Sequence, residues 1–173
     1  MAGSLIKLDE KIASNDGSIT LGGTNWDSTY DVYMVKGNNI NLDTDGSLLF
    51  IRTAIDGTEQ TTANYDKAAK LLKADTTFGN IAVVNDTFWY LDMILGTGTQ
   101  EQGNFVSYLF NWNNSSEYSF ITNESSFINS SAVLQGYQGG GVYTVAEAHN
   151  SMKIYANSGN IASGKFTLYG LKK

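Results

Sequence analysis

Apolar and polar positions along this chain fall into short runs rather than long stripes. The clearest case is 108–120, YLFNWNNSSEYSF, where SYLFNW and EYSF flank the polar knot Asn113-Asn114-Ser115-Ser116. Apolar runs of strand length on either side of Asn/Ser turn chemistry predict a hairpin. Tyr, Phe and Trp suit a pleated, half-buried surface, and a helix of this composition would lack a clear polar face.

Further strands are predicted in chain order at 4–9, 19–21, 30–36, 47–55, 81–84 and 87–95. In 30–36, YDVYMVK, residues Tyr30, Val32 and Met34 share one face and Asp31, Tyr33 and Val35 the other, so both sides are partly covered. Segment 47–55, SLLFIRTAI, is β-branched and apolar, with Arg52 placed for a sheet face or subunit contact. The hairpin strands are 105–112 and 117–122, and short strands follow at 132–134, 141–145, 148–156 and 165–171. Between them, Asn15-Asp16-Gly17-Ser18, 37–46 and 96–99 read as turns or loops. The glycine-rich 135–141 reads as a tight crossing or turn. Segment 61–73 is ambiguous: Tyr65, Ala68, Ala69 and Leu72 fall at helical spacing, yet pairing in a sheet overrides such propensity.

About nine or ten short strands at near-regular spacing predict one all-β domain over 1–173, an antiparallel sandwich or barrel. No βαβ rhythm, heptad or longer repeat is present. With 173 residues, 42% hydrophobic and 16% charged, the chain is long enough to bury a core. It has no proline, against an average of roughly 5%, so its turns rest on Asn, Asp, Ser and 18 glycines.

The net charge of -6 argues against nucleic acid, which needs a basic face. The one concentration of basic residues is Lys172-Lys173. The opening MAGSLIKLDEK is neither signal peptide nor membrane anchor, so no membrane insertion is expected. Absence of cysteine removes disulfides and thiolate ligands.

Four features of the chain bear on chemistry. His149, the one histidine, formally permits a Ser–His–Asp arrangement, but no nucleophile elbow accompanies it. Asp43-x-Asp45-Gly46 opens like a calcium loop, yet Ala54 stands where an EF-hand needs Glu, so a turn is the reading. Candidate glycosidase carboxylates such as Glu101, Glu117, Glu124 and Glu147 have no decisive spacing. The glycine-rich 135–141 lacks the Lys-Ser/Thr and helix of a phosphate cradle. No catalytic residue, cofactor or metal is therefore assigned. Five Asn-x-Ser/Thr sequons read as ordinary polar loops. The positive feature is aromatics beside Asn/Ser/Gly loops: Trp26, Trp112, Tyr118 and Tyr137 are the candidate partner or ligand contacts, suited to protein or sugar.

SLIKLDE, NWDSTYDVYMVKGNNI, NYDKAAKLLKADTTFGN, YLFNWNNSSEYSF, YQGGGVYTVAEAHN and the ending SGNIASGKFTLYGLKK together resemble small virion structural proteins of marine tailed phages, of the cyanophage and pelagiphage type. The resemblance runs from about Ser4 to Lys173 and is weakest over 87–103. It implies a jelly-roll-type sandwich on the particle exterior, without enzymatic activity, assembling as a homo-oligomer. A trimer follows by analogy alone. Its partners would be other virion proteins of capsid or tail. Head decoration or cement is the first expectation, since the first strand begins near Met1 with no fibrous shaft. A tail-fibre or tail-tip protein recognising host surface glycan is the second, and a depolymerase the third.

Overall fold

The computed structural model describes residues 4–75 and 78–172, so the opening Met1–Gly3 and the terminal Lys173 lie outside it. The chain is 66% strand with no α-helix among the described residues. It forms an antiparallel β-sandwich.

Four strand pairs build the frame. β1 (Ser4–Asp16) pairs β13 (Ile161–Lys172), and β2 (Ser18–Gly22) pairs β12 (Ser151–Ala156). β3 (Val32–Leu42) pairs β9 (Gly103–Phe110), and β4 (Ser47–Ile55) pairs β8 (Trp89–Leu95). The pairs nest, outermost strands together and innermost together. β13 also pairs β3, and β12 also pairs β4. The order β1-β13-β3-β9 thus faces β2-β12-β4-β8, the two-sheet arrangement of a jelly roll.

Two insertions enlarge one layer. β5 (Thr58–Glu59), β6 (Tyr65–Lys73) and β7 (Gly79–Asp86) lie between β4 and β8, and β10 (Ser119–Ile128) and β11 (Leu134–Tyr143) between β9 and β12. Of these, β10, β11, β6 and β7 extend the first sheet to eight strands. β8 packs across β6, β10 and β11, so these three are covered on their inner side.

Burial follows the period-2 rule. In β9, Phe105, Ser107 and Leu109 point into the core and Tyr108 outward; in β10, Ser119, Ile121 and Asn123 are buried and Phe120, Thr122 and Glu124 exposed. The aromatics form a continuous array through the core. Trp26 stacks on Tyr33 and Trp112, Trp112 meets Trp89, Trp89 meets Tyr65, and Tyr65 meets Tyr143.

Several expected boundaries differ. Segment 37–46 is strand rather than loop as far as Leu42, with Ile40 and Leu42 buried; a register shift between Gly37 and Ile40, with Asn39 at φ 50°, lets polar residues bulge outward. In 30–36 the core face is Tyr33 and Val35. Segment 61–73 holds a strand, β6, because ladders to β11 and β7 satisfy its backbone on both sides. The glycine-rich 135–141 is the interior of β11 rather than a turn, and merges the two strands expected at 132–134 and 141–145. A Cβ on Gly139 would sit 2.2 Å from Ala69 Cβ, and one on Gly141 2.5 Å from Trp89 Nε1. Glycine is needed there because neighbouring chain approaches so closely. Turns elsewhere use left-handed Asn15, Asp56, Asn85 and Asn111, which tolerate positive φ in this proline-free chain.

Candidate functional site

The outer face of the eight-stranded sheet carries a band of apolar side chains. Register sets Val32 opposite Phe110, Phe110 opposite Phe120, and Phe120 opposite Val142. One row over run Tyr169, Met34, Tyr108 and Thr122, continuing through Gly140, Ala68 and Ala82. The small residues of that row leave a trough of ≈ 610 Å³, walled by Phe120, Val142 and Val84. Phe120 and Tyr108 are exposed, and Val84 is 71% exposed.

The next row is polar: Lys36, Glu124, Gln138, Lys70 and Asn80, with Val106 among them. Gln138 donates to Glu124 at 3.0 Å and Lys70 to Asn80 at 2.5 Å. Apolar surface edged by paired polar groups is the pattern of an interaction site. Adjacent Phe120 and Ile121 leave the sequence silent on which of them faces outward. Only the strand register reveals that Phe110, Val142 and Val84 lie beside Phe120.

The expected contact residues separate. Trp112 and Tyr137 are buried and cannot contact a partner in this fold: Trp112 belongs to the core array, and Tyr137 closes over the Lys67 ammonium 5.0 Å from its ring centroid. Trp26 is half-buried on Tyr33. Tyr118, 47% exposed, is the freely presented member. The reason is placement, since β9 stops at Phe110 and the loop turns Trp112 inward beneath β8.

Trp26 and the Asn/Ser knot do meet. Asn113 accepts from Trp26 Nε1 and donates to the carbonyls of Ser28 and Tyr30 and to the Tyr33 hydroxyl. This amide ties loop 24–31 to loop 111–118. Burial raises the Tyr33 phenol, with the Asn113 bond pulling the other way. Beside the junction is a polar cleft of ≈ 390 Å³ lined by Ser28, Tyr30, Asp31, Asn111, Asn114 and Ser115, among others.

His149 has both partners of a catalytic array but no opening. Its Nδ1 lies 3.1 Å from Ser119 Oγ and its Nε2 3.3 Å from Glu147 Oε1. Ser119 is fully buried, His149 is 1% exposed, and the Trp112 and Tyr143 rings flank the imidazole. A substrate carbonyl has no route to that hydroxyl, so the array pins segment 144–150 to β10. Burial lowers the His149 proton affinity, and Glu147 works in the opposite direction.

Asp43 clamps a corner. Its Oδ1 accepts from the Asn160 backbone at 2.8 Å, while its own N–H donates to the Asn160 carbonyl at 3.1 Å. Among the described residues no three His, Asp or Glu side chains gather to hold a metal ion. On the outer side of the smaller sheet, Arg52 stacks over Tyr155 and pairs with Glu59 at 2.6 Å, and Lys153 joins Glu59 at 2.9 Å. Burial would raise the Glu59 carboxyl, but Arg52 and Lys153 together hold it below its ordinary value. Arg52 thus occupies a sheet face.

No protein-family model matches the chain, and no curated protein matches it. A solved structure similar to it is the marine PL-14 alginate lyase from Aplysia kurodai, at a TM-score of 0.33 and 7% identity, covering 87% of this chain and 72% of that one. At that TM-score the likeness decides nothing about function.

Proposed function

We propose that this chain is a non-enzymatic structural protein of a bacteriophage virion, a head decoration or cement protein on the particle exterior that works by packing against other virion proteins. The observation that supports this reading is the apolar band across Val32, Phe110, Phe120 and Val142. An apolar sheet face with a shallow trough, bordered by polar pairs, suits docking onto a protein lattice, where fit rather than chemistry is required. The resemblance to phage virion proteins supplies the particle.

The test combines location with one variant. Reconstruction of the intact virion should show many copies on the capsid, and Phe120→Asp should reduce occupancy of capsids stripped of the protein. Phe120 is exposed, so the variant should keep its unfolding midpoint. Full occupancy by Phe120→Asp would refute the docking face, and a few copies at the tail would refute decoration.

A second reading rests on the polar cleft beside Asn113. Amide and hydroxyl groups around a rigid aromatic junction suit a sugar, which favours a tail protein recognising host surface glycan. Binding of host envelope glycans, lost on Ser115→Trp, would support it. Release of sugar fragments would favour a depolymerase over both.

A further inference from the structure

The eight-stranded sheet ends in β1 on one side and β7 on the other, and the two edges are built differently. Open edges present unpaired N–H and C=O groups, and proteins guard them with charge, bulges or proline. β1 is guarded. It carries Lys7, Asp9, Glu10 and Lys11, its register shifts between Lys7 and Asp9, and Lys7 and Lys165 both pair with Glu10.

β7, GNIAVVND, has no such protection along its first five residues. From Gly79 to Asn85 it bears no charged side chain, and its one carboxylate, Asp86, is turned onto the Thr87 N–H at 2.6 Å. The ladder to β6 is unbroken from Gly79 to Val83, its irregularity falling only at the Asp86 end. From Gly79 to Val83 the strand is therefore regular, neutral and open where a partner would add, and only beyond Val84 does left-handed Asn85 give its N–H to the Asp66 carboxylate. Beside it stand Phe78, 65% exposed, and Val84, and its Ala82 continues the floor of the trough.

We propose that β7 is a self-association edge: a second copy of this chain adds antiparallel, β7 against β7 about a two-fold axis near Ala82. Charge selects the occupant. Two chains of net charge -6 repel over most of their surfaces, and self-pairing at β1 would bring its clustered charges together. About that axis Ala82 faces Ala82, Ile81 faces Val83 and Asn80 faces Val84, all neutral, and the Ile–Val and Ala–Ala pairs suit cross-strand packing. An isologous contact needs only this one strand from each copy. Pairing would join two sheets into one and bring the two troughs alongside. The proposal stands whether or not the apolar band meets a capsid, and it differs from the trimer expected by analogy.

Sedimentation of the purified full chain over a wide concentration range tests it. The expected result is a reversible monomer–dimer equilibrium that strengthens with salt, because screening removes the net repulsion. Ala82→Lys, an exposed position, should weaken the dimer about tenfold or more by setting like charges opposite one another, with an unchanged unfolding midpoint. The chain has no cysteine, so single cysteines report geometry: Ala82→Cys should cross-link into dimers under mild oxidation, and Leu5→Cys on β1 should not. A monomer at all concentrations would overturn the proposal. So would a trimer indifferent to Ala82→Lys, or cross-linking at Leu5 rather than Ala82.

Discussion

Gly139→Ala tests whether the closeness of β11 and β6 shapes this half of the sheet. The new Cβ would lie 2.2 Å from Ala69 Cβ, 2.5 Å from the Ala68 carbonyl oxygen and 2.7 Å from Ala69 Cα. Carbon pairs rest at roughly 3.5–4.0 Å, so β6 must retreat by ~1.5 Å. None of these atoms is the end of a flexible side chain. A retreat of that size carries ladder hydrogen bonds past their ordinary length of roughly 3.2 Å. Overpacking costs about 1–3 kcal/mol, and weakened ladder bonds add about 1 kcal/mol each. The expected loss is ~3 kcal/mol or more, a fall in Tm of roughly 6–12 °C for a chain of this size. Urea unfolding followed by tryptophan fluorescence measures it. Gly79→Ala is the control: its Cβ would meet Leu71 Cβ at 3.5 Å, and stability should hold or rise by ~0.5 kcal/mol. Adding Ala69→Gly to Gly139→Ala should restore part of the loss, leaving the close approaches to the Ala68 carbonyl oxygen and to the Cα of residue 69. A Gly139→Ala variant within ~0.5 kcal/mol of the native chain would refute the reasoning.

Three further outcomes follow from the packing. His149 stays neutral in the fold while the unfolded chain takes up a proton below about pH 6.5, so stability should be level above that pH and fall as pH drops through it. As the one histidine, it makes denaturation midpoints of native and His149→Gln proteins decisive, and equal slopes from pH 7 to 5 would exclude the effect. Burial pushes the Tyr155 phenol up to about 12, with Arg52 offsetting part of the rise. The fold then holds a proton the unfolded chain loses near pH 10, and stability should decline from pH 10 to 12. Burial also raises Tyr33, Tyr65 and Tyr143, so Tyr155→Phe should make that decline shallower without abolishing it, yet cost under ~0.5 kcal/mol at neutral pH, because the buried hydroxyl has no hydrogen-bond partner. Asn113→Ala removes the amide joining Trp26, Ser28, Tyr30 and Tyr33, so it should cost ~2 kcal/mol and speed hydrogen exchange across 24–31. Unchanged exchange there would show the two loops to be held by other means.

The sequence by itself determined the class of the protein. Aromatic runs on either side of Asn113–Ser116, β-branched runs such as 47–55, and Asn, Asp and Gly in place of proline sufficed for an all-β sandwich or barrel, because strand preference and turn chemistry are local. It also placed the central hairpin, whose ladder begins at Phe110 and Phe120. Only the tertiary structure decided which aromatics are surface and which are core. Trp112 and Tyr137 sit beside polar loops in sequence, yet β8 and β6 come from elsewhere in the chain to cover them. The glycines of β11 looked like a turn because their reason, the nearness of Ala69 and Trp89, lies in other strands. The apolar band and the unguarded edge are likewise products of strand order. A strand's period indicates which residues share a face, while its neighbours decide whether that face is covered.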